Sequence, residues 1–110
     1  MKVPNGDSAI VDIAKLREYC LSSSHPRGRH KARVFFSVLS MTDAHAEELR
    51  IALLQAVRTE DAIFGTSDIY GTRYIIDFEM MRKNQAAMIR SSWIIRSNEI
   101  VPRFVTCFVM

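Results

Sequence analysis

Apolar positions along the chain change their period once, near residue 60. Before that point they recur every three to four residues, and after it they alternate. Residues 1–11 read as an extended lead-in, with a turn signal at Pro4-Asn5-Gly6. Asp12 suits an N-cap, and Ile13, Leu16 and Cys20 follow at helical spacing, which predicts a short amphipathic helix over 13–21. Ser22-Ser23-Ser24-His25-Pro26 breaks it, because proline and its predecessor both resist continuing a helix. A second helix is predicted from about Arg29 to Leu39, with Ala32, Phe35, Val38 and Leu39 on one face. Thr42 then caps a third over 43–58, where Ala46, Leu49, Leu53, Ala56 and Val57 form an apolar stripe. Asp43, Glu47 and Glu48 in its first turns suit the positive end of the helix dipole.

Beyond Arg58 the alternation predicts strands. Ala62-Ile63-Phe64 is a short one, closed by turn-prone Gly65-Thr66-Ser67-Asp68. In Thr72 to Met80, the residues Tyr74, Ile76, Phe78 and Met80 share one face, and Arg73, Ile75, Asp77 and Glu79 the other. Arg82-Lys83-Asn84-Gln85 is a polar turn, after which Ala87, Ile89, Ser91, Trp93 and Ile95 alternate with Met88, Arg90, Ser92, Ile94 and Arg96. In the last strand Phe104, Thr106 and Phe108 alternate with Arg103, Val105, Cys107 and Val109. Helices first and strands after predict an α+β domain: two to three N-terminal helices packed on one face of a three- to four-stranded antiparallel sheet. At 110 residues this is one domain, 1–110.

Composition adds limits. A hydrophobic share of 48% with 25% charged residues fits a folded globule. No apolar run reaches the ~18–20 residues that cross a bilayer, and no signal peptide is recognisable at the start, so a cytoplasmic location without membrane contact is expected. Cys20 and Cys107, far apart and each in an apolar pattern, are expected to be buried free thiols. No Cys/His spacing suits zinc, and neither metal nor cofactor is expected. Gly-rich phosphate loops, Gly-x-Ser-x-Gly elbows and paired carboxylates are all missing, which leaves nucleotide hydrolysis and serine-hydrolase chemistry without support. The net charge of +3 is mild, but its distribution is not: Arg27, Arg29, Lys31 and Arg33 alternate through one short segment that also holds His25 and His30.

That segment carries the candidate chemistry. Gly28 lets the backbone enter the second helix closely, and the amides of Arg29, His30 and Lys31 would lie free in its first turn as an anion site. Cations at a helix N-terminus oppose the dipole, so stability alone does not favour them; a solvated basic turn is the competing reading. His30 and His25 suit proton transfer near neutral pH, although His25 also reads as a loop residue, and His45 as merely exposed. On the sheet, Arg90 and Ser92 share a face, as do Arg103 and Cys107. Arg90 is either a second clamp on a phosphate or a cross-strand partner of Asp77 or Glu79. Thr106 lies on an apolar face, so its hydroxyl needs a partner. Tyr70, before a Gly71 placed for positive φ, is positioned to stack on a base or simply to pack.

The order Asp12, Lys15-Leu16, Tyr19, Leu21, His25-Pro26, Gly28-Arg29-His30-Lys31-Ala32-Arg33, Phe35, then Tyr70-Gly71, Tyr74, Trp93-Ile94-Ile95, Pro102-Arg103 and Val105-Thr106 resembles an uncharacterised bacterial, toxin-associated domain family. Its members are small stand-alone proteins and C-terminal modules of larger toxin-like and phage-head-associated proteins. The His-Pro-x-Gly-x-x-Lys-Ala-x-x-Phe segment is the most specific part. That family resembles, more distantly, the barnase/EndoU/colicin/RelE ribonuclease-toxin superfamily, whose helices also precede a four-stranded antiparallel sheet. The resemblance implies metal-independent RNA cleavage through a 2′,3′-cyclic phosphate. It points to His30, Lys31, Arg90, Arg103 and Thr106, with His30, Lys31, Arg90 and Thr106 expected to be catalytic. Arg103 is expected to bind RNA, and so, from the basic run and the turn aromatic, are His25, Arg27, Arg29, Arg33 and Tyr70. It also implies a small acidic antitoxin or immunity-like partner for a monomer or homodimer. The base carboxylate of barnase has no counterpart here, and Thr106 can join Arg103 in one pocket only through a β-bulge. The alternative function is a non-catalytic RNA- or protein-binding module of a toxin–antitoxin-like or phage-associated system.

Overall fold

A computed structural model describes residues 1–110. Helix α1 (Ile13–Lys15) starts where the Asp12 carboxylate accepts the Ala14 amide at 3.0 Å, and it runs on into a π-helical turn, Leu16–Cys20. Helix α2 spans Arg29–Leu39 and ends at Ser40, whose left-handed φ of 55° stops it. A single 3-10 turn, Asp43–His45, leads into α3, Ala46–Thr59. Thr42 caps that turn, and its amide donates to His45 Nδ1 at 2.9 Å. His45 is therefore part of a capping box rather than a bystander.

Four strands form an antiparallel meander in the order β1 (Ile63–Asp68), β2 (Gly71–Arg82), β3 (Gln85–Arg96) and β4 (Arg103–Val109). The β2–β3 turn is Lys83-Asn84, both at positive φ (49° and 64°), the two-residue geometry whose twist matches that of the strands. Gly71 sits at a φ of 146°, which favours glycine.

The α+β arrangement matches expectation, and the core lies between the layers. Phe35, Leu39, Leu49, Leu53 and Val57 come from the helices, and Ile76, Phe78, Ile89, Trp93, Phe104 and Cys107 from the sheet. Three details differ from the sequence reading. First, β1 continues through Gly65 to Asp68, because a register slip between Phe64 and Ser67 absorbs the irregularity instead of ending the strand. Second, the lead-in is not wholly extended: Gly6–Ser8 form a 3-10 turn, and Ile10 then lies parallel to Arg103. The Ile10 amide donates to the Pro102 carbonyl, and the Ile10 carbonyl accepts the Phe104 amide, both at 2.9 Å. Third, a β-bulge falls in β4, between the pairs Ser92↔Thr106 and Trp93↔Phe104. The extra residue, Val105, shifts the alternation by one, so Phe104 and Cys107 both enter the core while Phe108 turns outward. Arg103 and Cys107 consequently do not share a face.

Candidate functional site

The bulge brings Thr106 to the start of α2. Lys31, in the first turn of α2 and half-buried, donates from Nζ to Thr106 Oγ1 at 3.0 Å and to the Tyr19 hydroxyl at 3.3 Å. The ammonium also lies 4.8 Å from the Tyr19 ring centroid. Tyr19 is brought there by the π-helical turn, a form of helix that recurs at functional sites. The edge of His25 packs against Tyr19 with ring centroids 4.8 Å apart. One cation is thus held by two hydroxyls, and the three residues come from three separate elements.

What Lys31 lacks is a carboxylate. Every arginine from Arg50 onward makes an ion pair, whereas Arg17, Arg27, Arg29, Arg33 and Lys31 make none. The unpaired cations concentrate where α2 begins. His30, exposed, joins Lys31, Val34, Phe108 and Val109 around a cavity of about 290 Å³ at the β4 edge.

Gly28 of the His-Pro-x-Gly segment has an ordinary φ of −78°, so its role is closeness and not conformational freedom. A Cβ at that position would run into the Tyr19 carbonyl. Gly28→Ala is therefore expected to push α2 away from Tyr19, costing about 1–3 kcal/mol of stability. Urea denaturation measures this, and a variant as stable as the wild type would refute the close-packing role.

His25 serves the same junction. Its Nδ1 accepts the amides of Arg27 and Gly28, each at 3.0 Å, and its carbonyl accepts the Arg29 amide at 2.9 Å. The expectation of a free Arg29 amide is corrected accordingly: the loop's own histidine closes that donor. His25 is a structural cap of the segment.

No hydrogen bond joins the sheet arginines to Lys31, and each is held by a carboxylate of its own. Arg90, on the face away from the helices, forks onto its cross-strand partner Asp77 at 2.9 and 2.8 Å. Hydrogen bonds from Arg90 hold the Asp77 carboxyl below the usual carboxylate range. Arg103 forks onto Glu99 at 2.8 Å through each nitrogen, with the same effect on that carboxyl. Tyr70 is exposed at the β1–β2 turn, on the sheet edge opposite β4. Arg27, Arg29 and Arg33 project from α2 and the loop before it, all exposed.

Sequence reasoning placed neither Tyr19 nor Cys20 at the candidate site. Cys20 and Cys107 are both buried and free, as expected, but they are also neighbours. The neighbouring Cys107 thiol and amide, together with Thr106 and the Lys31 charge, outweigh burial and bring the Cys20 thiol down to about 6. Cys107 is correspondingly pushed up. Cys20 Sγ lies 3.8 Å from Thr106 Oγ1, so Thr106 stands between the sulfur and Lys31. The lowered value makes folding more favourable as pH rises from about 6 toward the ordinary thiol range, a gain that disappears again as pH falls through 6. Ultraviolet thiolate absorbance is expected to titrate near that value and to vanish in Cys20→Ser. A titration above about 8 would contradict the coupling.

Fold and site together define a class: a small α+β domain that presents an unpaired, hydroxyl-held lysine where a helix start meets an edge strand. The chain belongs to the family described as "Domain of unknown function (DUF6883)", whose profile matches residues 2–110. No curated protein sequence matches it. Among solved structures, the chain is similar to one from a "Contact-dependent growth inhibition toxin - immunity protein complex from Klebsiella pneumoniae 342". The two share 17% identity over 92% of this chain and 99% of that one, with a TM-score of 0.69, which establishes a shared fold.

Proposed function

We propose that the protein is a toxin-type, metal-independent ribonuclease that cleaves RNA through a 2′,3′-cyclic phosphate, with Lys31 at its phosphate site. The observation that carries this reading is the Lys31 ammonium, partly buried, held by neutral hydroxyls and free of any carboxylate partner, at a cavity shared with His30. A cation so placed meets a developing phosphorane without first having to part from a carboxylate. His30 takes the proton from the ribose 2′-hydroxyl, whose oxygen attacks phosphorus. Lys31 stabilises the charge on the phosphoryl oxygens, while Thr106 and Tyr19 fix its position. The 5′-oxygen leaves with a proton from solvent. Arg90 and Arg103, already committed to Asp77 and Glu99, are outside this machinery.

The structural likeness to a chain of a toxin–immunity protein complex supports a toxin-related role and, with it, a protein partner. The deciding experiment incubates purified protein with transfer RNA or total RNA in EDTA and assays the new ends. Fragments ending in cyclic phosphate and 5′-hydroxyl support the proposal. Uncut RNA, or equal cutting by wild type and Lys31→Ala, rejects it, and salt-sensitive binding without cutting selects a non-catalytic RNA-binding module.

A further inference from the structure

We infer that the groove on the opposite side of α2 from Lys31 is an RNA-binding subsite, which takes one nucleobase on Phe36 and the adjoining phosphates on Arg29 and Arg33. Resting on the reading of the protein as one that acts on RNA, it extends that reading to a second surface. The groove encloses about 490 Å³ and lies between α2 and the turn that leads into α3. Leu21 and Met41 lie at its base, and Phe36 forms a wall while remaining 61% exposed. Arg29, Arg33 and Phe36 follow at helical spacing on one side of α2, roughly half a turn away from Lys31.

Exposed phenylalanine in a monomer's surface needs a reason only when it belongs to a built site. Here it does. The groove's two arginines make no ion pair, although every arginine from Arg50 onward has found one. Aromatic platforms beside unpaired cations are the means by which proteins hold single strands: the base stacks, and the backbone charge is neutralised. The remaining feature selects between polyanions. Asp43 also lines the groove, exposed and in no ion pair. Its carboxylate would repel the acidic side chains of a protein segment entering the groove, but it accepts a hydrogen bond from a base amino group. A nucleotide satisfies all three groups at once: ring on Phe36, amino group to Asp43, phosphates to the arginines.

The test uses the full chain and a fluorescein-labelled 2′-O-methyl RNA oligonucleotide, which lacks the nucleophile for cleavage, with affinity read by fluorescence anisotropy. Phe36→Ala is expected to weaken binding roughly tenfold, and Phe36→Tyr to keep it. Arg29→Gln and Arg33→Gln are each expected to lower the slope of log affinity against log salt by about one. Because these side chains are exposed, thermal melts should match the wild type. Unchanged affinity in Phe36→Ala together with an unchanged salt slope in both arginine variants would overturn the inference and leave the groove to a protein partner. The two proposals fail separately: RNA cut normally by a Phe36→Ala protein of undiminished affinity removes the subsite and keeps the ribonuclease. Groove-dependent binding without cutting does the reverse.

Discussion

Lys31→Ala is expected to lower RNA cleavage by a factor of about 10²–10³, the usual consequence of removing one donor aimed at a charge that develops in the transition state. The ammonium is fixed by Thr106 at 3.0 Å and by Tyr19 at 3.3 Å, so no search for position precedes the reaction. Thr106→Val should cost less than Lys31→Ala, because it loosens the lysine without removing it. Arg90→Ala should leave cleavage nearly intact, since that guanidinium is already committed to Asp77. Initial rates of cyclic-phosphate production measure all three. If Arg90→Ala proves as damaging as Lys31→Ala, the phosphate sits on the open sheet face and the site at Lys31 is misplaced.

The second large effect is structural. Trp93→Ala is expected to remove about 3–5 kcal/mol of stability, a large part of the ~5–15 kcal/mol that holds a small domain folded. Trp93 is fully buried and meets Phe104 edge-on, with ring centroids 5.6 Å apart. Its indole N–H donates to Ser91 Oγ at 2.9 Å, and that hydroxyl in turn donates to the Ile76 carbonyl at 2.8 Å. Trp93→Phe retains most of the packing and leaves Ser91 its own acceptor, so a smaller loss of about 1–2 kcal/mol is expected. Urea unfolding followed by circular dichroism separates the two. A Trp93→Ala protein within about 1 kcal/mol of the wild type would mean that the core collapses around the gap far better than this packing allows.

Much of the architecture was legible because each element has a period of its own. Phe35 and Leu39 on α2, or Leu49, Leu53 and Val57 on α3, lie on one face for geometric reasons alone, and the structure buries them. The pairing of Arg90 with Asp77 was similarly readable as one of two alternatives, since facing charges on neighbouring strands attract. Thr106 was not. Alternation placed it with Phe104 and Phe108, and only the slip at Val105 separates Phe104 from the other two. A bulge is decided by what two strands gain from each other, here the close fit of Trp93 to Phe104, and no local residue preference announces it. Tyr19 escaped for a related reason: the π-helical turn adds a residue and rotates those after it, whereas a 3.6-residue period assumes that no such addition occurs. The basic start of α2 was visible as charge, but its lack of counterions depended on where every carboxylate of the chain came to rest.

The parallel bridge of Ile10 to Arg103 joins segments from the two ends of the described chain, and Thr106 lies three residues beyond it on the same strand. The contact that steadies Lys31 spans 75 positions, and it forms only once β4 has been threaded between β3 and the residue 10 segment. Docking of that strand is therefore a checkpoint: a partly folded molecule would expose its basic helix start and its loose lysine, but would lack the hydroxyl that aims it. On the proposed reading full activity would need that long-range contact, and a copy whose β4 has come away would keep Lys31 but lose its aim.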